Sequence, residues 1–103
     1  MFESHRKDIV FDIKNDIKNL IYSIDDYRIG FRYNNDANVY FDSIQKKCYF
    51  VLDMIENTFN KNVNKDIPDI IFIEIKNKAK NIGEMIDKMF DFKKDENFID
   101  LYA

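Results

Sequence analysis

The chain has 103 residues, which predicts a single domain over residues 1–103. Its net charge of −3 at pH 7 disfavours nucleic-acid binding by bulk electrostatics. Charged residues make up 34% of the chain, and no apolar run reaches the roughly 18 residues that span a bilayer, so we expect no contact with a membrane. The first residues contain no apolar signal segment and the chain has one cysteine, Cys48, which together predict a cytoplasmic protein.

Strong helix breakers are rare in the sequence, with only Gly30, Pro68 and Gly83 present. Strands and tight turns use Gly and Pro for their special backbone angles, so a chain with so few of them favours long helices. The sequence therefore predicts an all-α fold, an antiparallel bundle of three long helices at about residues 2–28, 37–60 and 67–92. A charged break then precedes a short apolar tail, which predicts a short C-terminal helix at about residues 95–102 that docks on the bundle. The alternative is a tail that binds another chain.

The first predicted helix has an apolar stripe about 120° wide, with Gly30 as a natural stop beyond it. The stripe comprises Ile9, Val10, Ile13, Ile17, Leu20, Ile21, Ile24 and Tyr27. Three carboxylates, Asp8, Asp12 and Asp16, repeat every fourth residue along one edge and form what we call the acidic row. The acidic row suits a divalent cation or a basic partner, and the alternative is an ordinary solvated face.

The connection after the first helix concentrates arginine and aromatic residues: Tyr27, Arg28, Phe31, Arg32 and Tyr33. The guanidinium fork suits phosphate or carboxylate, and aromatic side chains anchor interfaces or stack on bases. This composition predicts a recognition loop. The alternative is that Arg28 neutralises the negative end of the first helix while the aromatic residues close the end of the bundle.

The second predicted helix is apolar on two sides. Its main stripe comprises Phe41, Ile44, Cys48, Val51, Leu52, Ile55 and Phe59. Val39, Tyr40, Phe50 and Met54 form a second strip farther round the helix. A helix of this kind is either central in a bundle or in contact with a partner.

The third predicted helix begins near Pro68, with Asp66 as its expected cap. Its stripe comprises Ile71, Phe72, Ile75, Ala79, Ile82, Ile86, Met89 and Phe90. The β-branched run of residues 70–75 also suits a strand, but a lone strand would have no partner, so we expect a helix. Gly83 lies at the edge of the stripe and predicts a close approach between helices.

Two acidic pairs, Asp53 with Glu56 and Glu84 with Asp87, occur on the second and third helices. This pattern resembles the paired acidic motif of the all-α nucleotide pyrophosphohydrolases, and the resemblance implies Mg²⁺ bound against a nucleoside triphosphate. Asp53 stands where that motif has Glu, and both pairs lie off the main apolar stripes. We therefore predict no cofactor and no metal site, and keep this enzyme class as an alternative.

The sequence favours a small non-enzymatic helical protein that binds a macromolecular partner, either another protein or a second copy in a homodimer. Size, acidity and a composition typical of an AT-rich genome suggest an accessory, inhibitor, immunity or regulatory protein of a phage or mobile element. A nucleic-acid module that uses Arg28 and Arg32 is a further alternative. The predicted partner-binding residues are Tyr27, Arg28, Phe31, Arg32, Tyr33, Val39, Tyr40, Phe50 and Met54.

Overall fold

A computed structural model of the chain describes residues 5–92. Three helices pack against one another: α1 (His5–Tyr27), α2 (Asn35–Lys61) and α3 (Asp69–Met89). A short 3₁₀ helix, Arg28–Phe31, joins α1 to α2. These residues contain no strand, which confirms the predicted all-α bundle, including a helix over residues 70–75. The predicted helix at residues 95–102 lies outside the described residues.

Contacts at the helix ends show that the three helices alternate in direction. The Arg6 guanidinium near the start of α1 donates to the Ile67 carbonyl, 2.9 Å away and just before α3. The Tyr40 hydroxyl near the start of α2 donates to the Met85 carbonyl near the end of α3, at 2.9 Å. The amino ends of α1 and α3 are thus at one end of the molecule, and α2 runs antiparallel to both.

Local capping sets the helix boundaries. The Asn34 side chain accepts from the Ala37 amide at 3.0 Å, so α2 begins two residues before its predicted start. Pro68 is the N-cap of α3, and its carbonyl accepts from the Phe72 amide at 3.0 Å. The expected cap, Asp66, instead accepts from the adjacent Ile67 amide at 2.8 Å.

The core is built from the predicted stripes, with isoleucine along its length and an aromatic cluster at one end. Phe31 and Phe41 are fully buried and meet at a ring-centroid distance of 5.2 Å in an edge-on geometry. Phe92 lies 6.1 Å from Phe41 and 5.4 Å from Tyr40. This cluster fastens the end of α3 to the start of α2 and so fixes the face that the two helices share.

Gly30 lies just beyond the end of α1, as predicted, whereas the role predicted for Gly83 was wrong. A Cβ added at Gly83 would meet no atom within 4 Å, so the predicted close approach between helices was wrong, and Gly83 faces open space. Gly30 is buried within the 3₁₀ helix, and no glycine of residues 5–92 has a positive φ. The chain therefore leaves α1 by tightening into a 3₁₀ turn, without a left-handed cap.

Candidate protein-binding surface

Arg28 ties the 3₁₀ helix to α2. Its Nη1 donates to Asp42 Oδ1 and to Gln45 Oε1, each at 2.8 Å, and its Nη2 donates to Asn38 Oδ1 at 3.1 Å. Gln45 Nε2 in turn donates to Asp25 Oδ1 on α1 at 2.7 Å. Only 23% of the Arg28 side chain is exposed. The Arg28 guanidinium thus joins the 3₁₀ helix to α2, and Gln45 extends the same network to α1.

The aromatic residues of the predicted recognition loop divide into two groups. The Tyr27 ring lies 5.0 Å from that of Phe31 and 5.3 Å from that of Phe90, and burial raises the pKa of the Tyr27 hydroxyl. Phe31 is fully buried. Arg32 and Tyr33 are exposed, so these two are the loop residues that a partner could reach.

The second strip of α2 is also divided. α3 and the chain after it cover Tyr40, whose hydroxyl is hydrogen-bonded to Met85, and burial and the nearby Asp91 carboxylate raise its pKa. Met54 is half-buried and packs against the core. Val39 and Phe50 remain exposed, at 70% and 62%. The second strip is therefore exposed only at Val39 and Phe50 and does not form one continuous surface for a partner.

Phe50 opens onto a groove of about 750 Å³ whose lining residues all belong to α2 and α3, and we call it the α2/α3 groove. Across the groove from Phe50, Ile70 and Ile73 of α3 are 78% and 54% exposed. Val51 and Ile82, which are buried, form the deeper part of the lining. Three large apolar side chains from two helices are thus presented together at one surface.

Three lysines also line the α2/α3 groove. Lys46, Lys47 and Lys78 line the groove, and Glu74 is its one acidic residue. Lys47 Nζ on α2 donates to Asn81 Oδ1 on α3 at 3.4 Å. Lys78 Nζ lies 5.2 Å from the centroid of the Phe50 ring and 3.9 Å from Glu74 Oε1. The groove is therefore locally positive although the whole chain is acidic.

Sequence reasoning found one wall of this groove and missed the other. Phe50 was among the predicted binding residues, whereas Ile70 and Ile73 were not. The signal was present, because the third helix's stripe used Ile71, Phe72 and Ile75 and left these two isoleucines unassigned on its outer side.

The acidic row and the two acidic pairs are solvent-exposed. Within residues 5–92, no group of three or more His, Cys, Asp or Glu side chains is placed to hold a metal ion.

Cys48 is fully buried, and burial raises the pKa of its thiol to about 11. It is therefore a protonated thiol at neutral pH and a poor nucleophile. Nor is any helix of the described part of the chain long and apolar enough to cross a bilayer.

Comparison of the chain with protein-family models, with curated proteins and with solved structures finds no match. The assignment of a function therefore depends on the surface of this chain itself.

Proposed function

We propose that this is a small, non-enzymatic cytoplasmic protein that binds another protein through the α2/α3 groove. One observation carries the proposal: Phe50 of α2 and Ile70 and Ile73 of α3 are more than half exposed and all line one groove. Single exposed apolar side chains are ordinary, whereas a contiguous apolar patch with a polar rim is typical of protein interfaces. An accessory, inhibitor, immunity or regulatory role would use such a surface.

The groove offers enough apolar surface to matter energetically. Complete burial of an exposed large aliphatic or aromatic side chain contributes about 1.5–3 kcal/mol. Because these three are already partly buried, their complete burial would add roughly 3–6 kcal/mol. That is a large share of the roughly 8 kcal/mol that corresponds to a micromolar complex, before the costs of association.

The other predicted binding residues support this choice of surface. Arg28, Phe31 and Tyr40 make contacts within the chain that a partner would have to break. Arg32, Tyr33 and Val39 are exposed. The groove is therefore the better-formed surface, and the binding roles of the loop residues stay predictions.

The proposal is tested with Phe50→Asp and a matched control, Tyr22→Asp. Both residues are aromatic, both lie within a helix, and they are 62% and 71% exposed, but Tyr22 is on α1 and outside the groove. Tagged chains are used to recover proteins from the organism that encodes them, with quantification by mass spectrometry. We expect a protein that the wild type and Tyr22→Asp recover equally and Phe50→Asp loses. Equal recovery by all three, with melting temperatures unchanged, would rule out the groove as the binding surface.

A further inference from the structure

We infer that the α2/α3 groove binds one amphipathic helix of another protein, with aspartate and glutamate residues flanking its apolar stripe. This inference rests on the proposed function and adds the chemistry of the partner.

The shape of the groove fits a helix. Its lining extends from Ile70 to Ile82 on α3, about 18 Å at 1.5 Å per residue, and from Lys46 to Val51 on α2, about 8 Å. A ligand helix lying along α3 would therefore contact about three turns of α3 and the nearest turn of α2. Two antiparallel helices form a trough into which a further helix packs, as in four-helix bundles. Because α2 and α3 are helical along the groove, their backbone groups bond within each helix, so no sheet edge is offered to an extended peptide.

The charge of the groove selects among helices. Lys46, Lys47 and Lys78 line the groove together with a single carboxylate, Glu74, in a chain whose net charge is −3. The Lys78 ammonium group lies 5.2 Å from the centroid of the Phe50 ring, so a positive charge lies directly beside an exposed apolar side chain of the groove. Acidic side chains beside the ligand's apolar stripe would meet these ammonium groups, and basic ones would be repelled.

The same charge disfavours a second copy of the chain as the occupant. In a two-fold dimer whose axis passes through the groove, each groove would meet its own image, so lysines of one copy would approach lysines of the other. Like charges brought together at an interface oppose association. The partner is therefore a different and acidic surface.

The test uses two synthetic helical peptides with the same leucine stripe, one flanked by glutamates and one by lysines. Each is titrated into the isotope-labelled full chain and followed by NMR chemical shifts and by fluorescence anisotropy. We expect the glutamate peptide to bind at least about tenfold more tightly, since a few interfacial charges of roughly 0.5–1 kcal/mol each differ in sign. The largest shifts should be at Phe50, Ile73 and Lys78.

A charge-reversed pair supplies the control. Lys47→Glu with Lys78→Glu should weaken the glutamate peptide about tenfold. Lys18→Glu with Lys65→Glu changes the net charge equally outside the groove and should leave the affinity within about twofold. An equal loss in both pairs would show a general charge effect and would overturn the inference.

Other outcomes also overturn the inference. These are no binding of either peptide, equal affinity for both, or chemical-shift changes that lie outside the groove. A further one is a dimer, detected by light scattering, whose interface includes the groove. A last control uses the full chain without peptide, with Asp95, Glu96 and Asp100 neutralised. If the NMR resonances of the groove residues then shift, the chain itself occupies the groove, and the inference is overturned. If the glutamate peptide fails while Phe50→Asp still abolishes recovery of a partner, the proposed function stands and this inference fails.

Discussion

Replacement of Arg28 by alanine separates a structural arginine from a recognition arginine. The substitution removes the donors that Asp42 Oδ1, Gln45 Oε1 and Asn38 Oδ1 accept from at 2.8–3.1 Å. Hydrogen bonds to charged groups contribute about 1.5–3 kcal/mol when buried. Here the Arg28 and Asp42 side chains are 23% and 56% exposed, so solvent weakens their pairing.

We therefore expect Arg28→Ala to lower the free energy of unfolding by roughly 1–2 kcal/mol. In a domain of this size that corresponds to a fall in melting temperature of roughly 4–12 °C. Thermal and urea unfolding monitored by circular dichroism measure it. Arg32→Ala is the matched control, because Arg32 is exposed on the same connection, and should change the free energy by less than about 0.5 kcal/mol. Equal effects of the two substitutions would refute the assignment of Arg28 to the fold.

Two further predictions concern stability. Gly83→Ala should stabilise the chain by about 0.5–1 kcal/mol in urea unfolding, because the added methyl group meets open space and glycine is a poor helix former; Lys80→Ala on the same helix is the control, and a loss of stability with Gly83→Ala would contradict the reasoning. The free energy of unfolding should fall as pH rises from the ordinary thiol pKa of 9.0 towards about 11, because the folded chain keeps Cys48 protonated while the unfolded chain ionises. Tyr27 and Tyr40, whose pKa values are also raised, act in the same direction. Cys48→Ala should therefore flatten this pH dependence in part, and an unchanged slope would contradict the assignment.

The helices were predictable because their apolar stripes continue for five or more turns, which no strand or loop imitates. Their ends were less so, because a boundary depends on one capping contact. Asn34 and Pro68 each moved a predicted boundary by two residues. The role of Gly83 was not predictable, because the sequence around a helical glycine does not show whether that glycine faces a neighbouring helix or solvent.

The sequence could not predict which of the candidate binding residues are covered and which are exposed. That outcome depends on the side of α2 on which α3 packs. Tyr40 and Val39 are adjacent in the chain, and the placement of α3 decides that Tyr40 is covered and Val39 exposed. For Arg28 a partial signal existed. Asn38, Asp42 and Gln45 recur at spacings of four and three, which places three acceptors on one face of α2.

The most direct test of the binding surface is site-specific photo-crosslinking in living cells. Benzoylphenylalanine in place of Ile73 puts the reactive group within the α2/α3 groove, and the same residue in place of Tyr22 puts it on exposed α1. The proposal predicts one crosslinked protein from position 73 that Phe50→Asp abolishes, and none from position 22. No crosslink from position 73, or the same products from both positions, would contradict it.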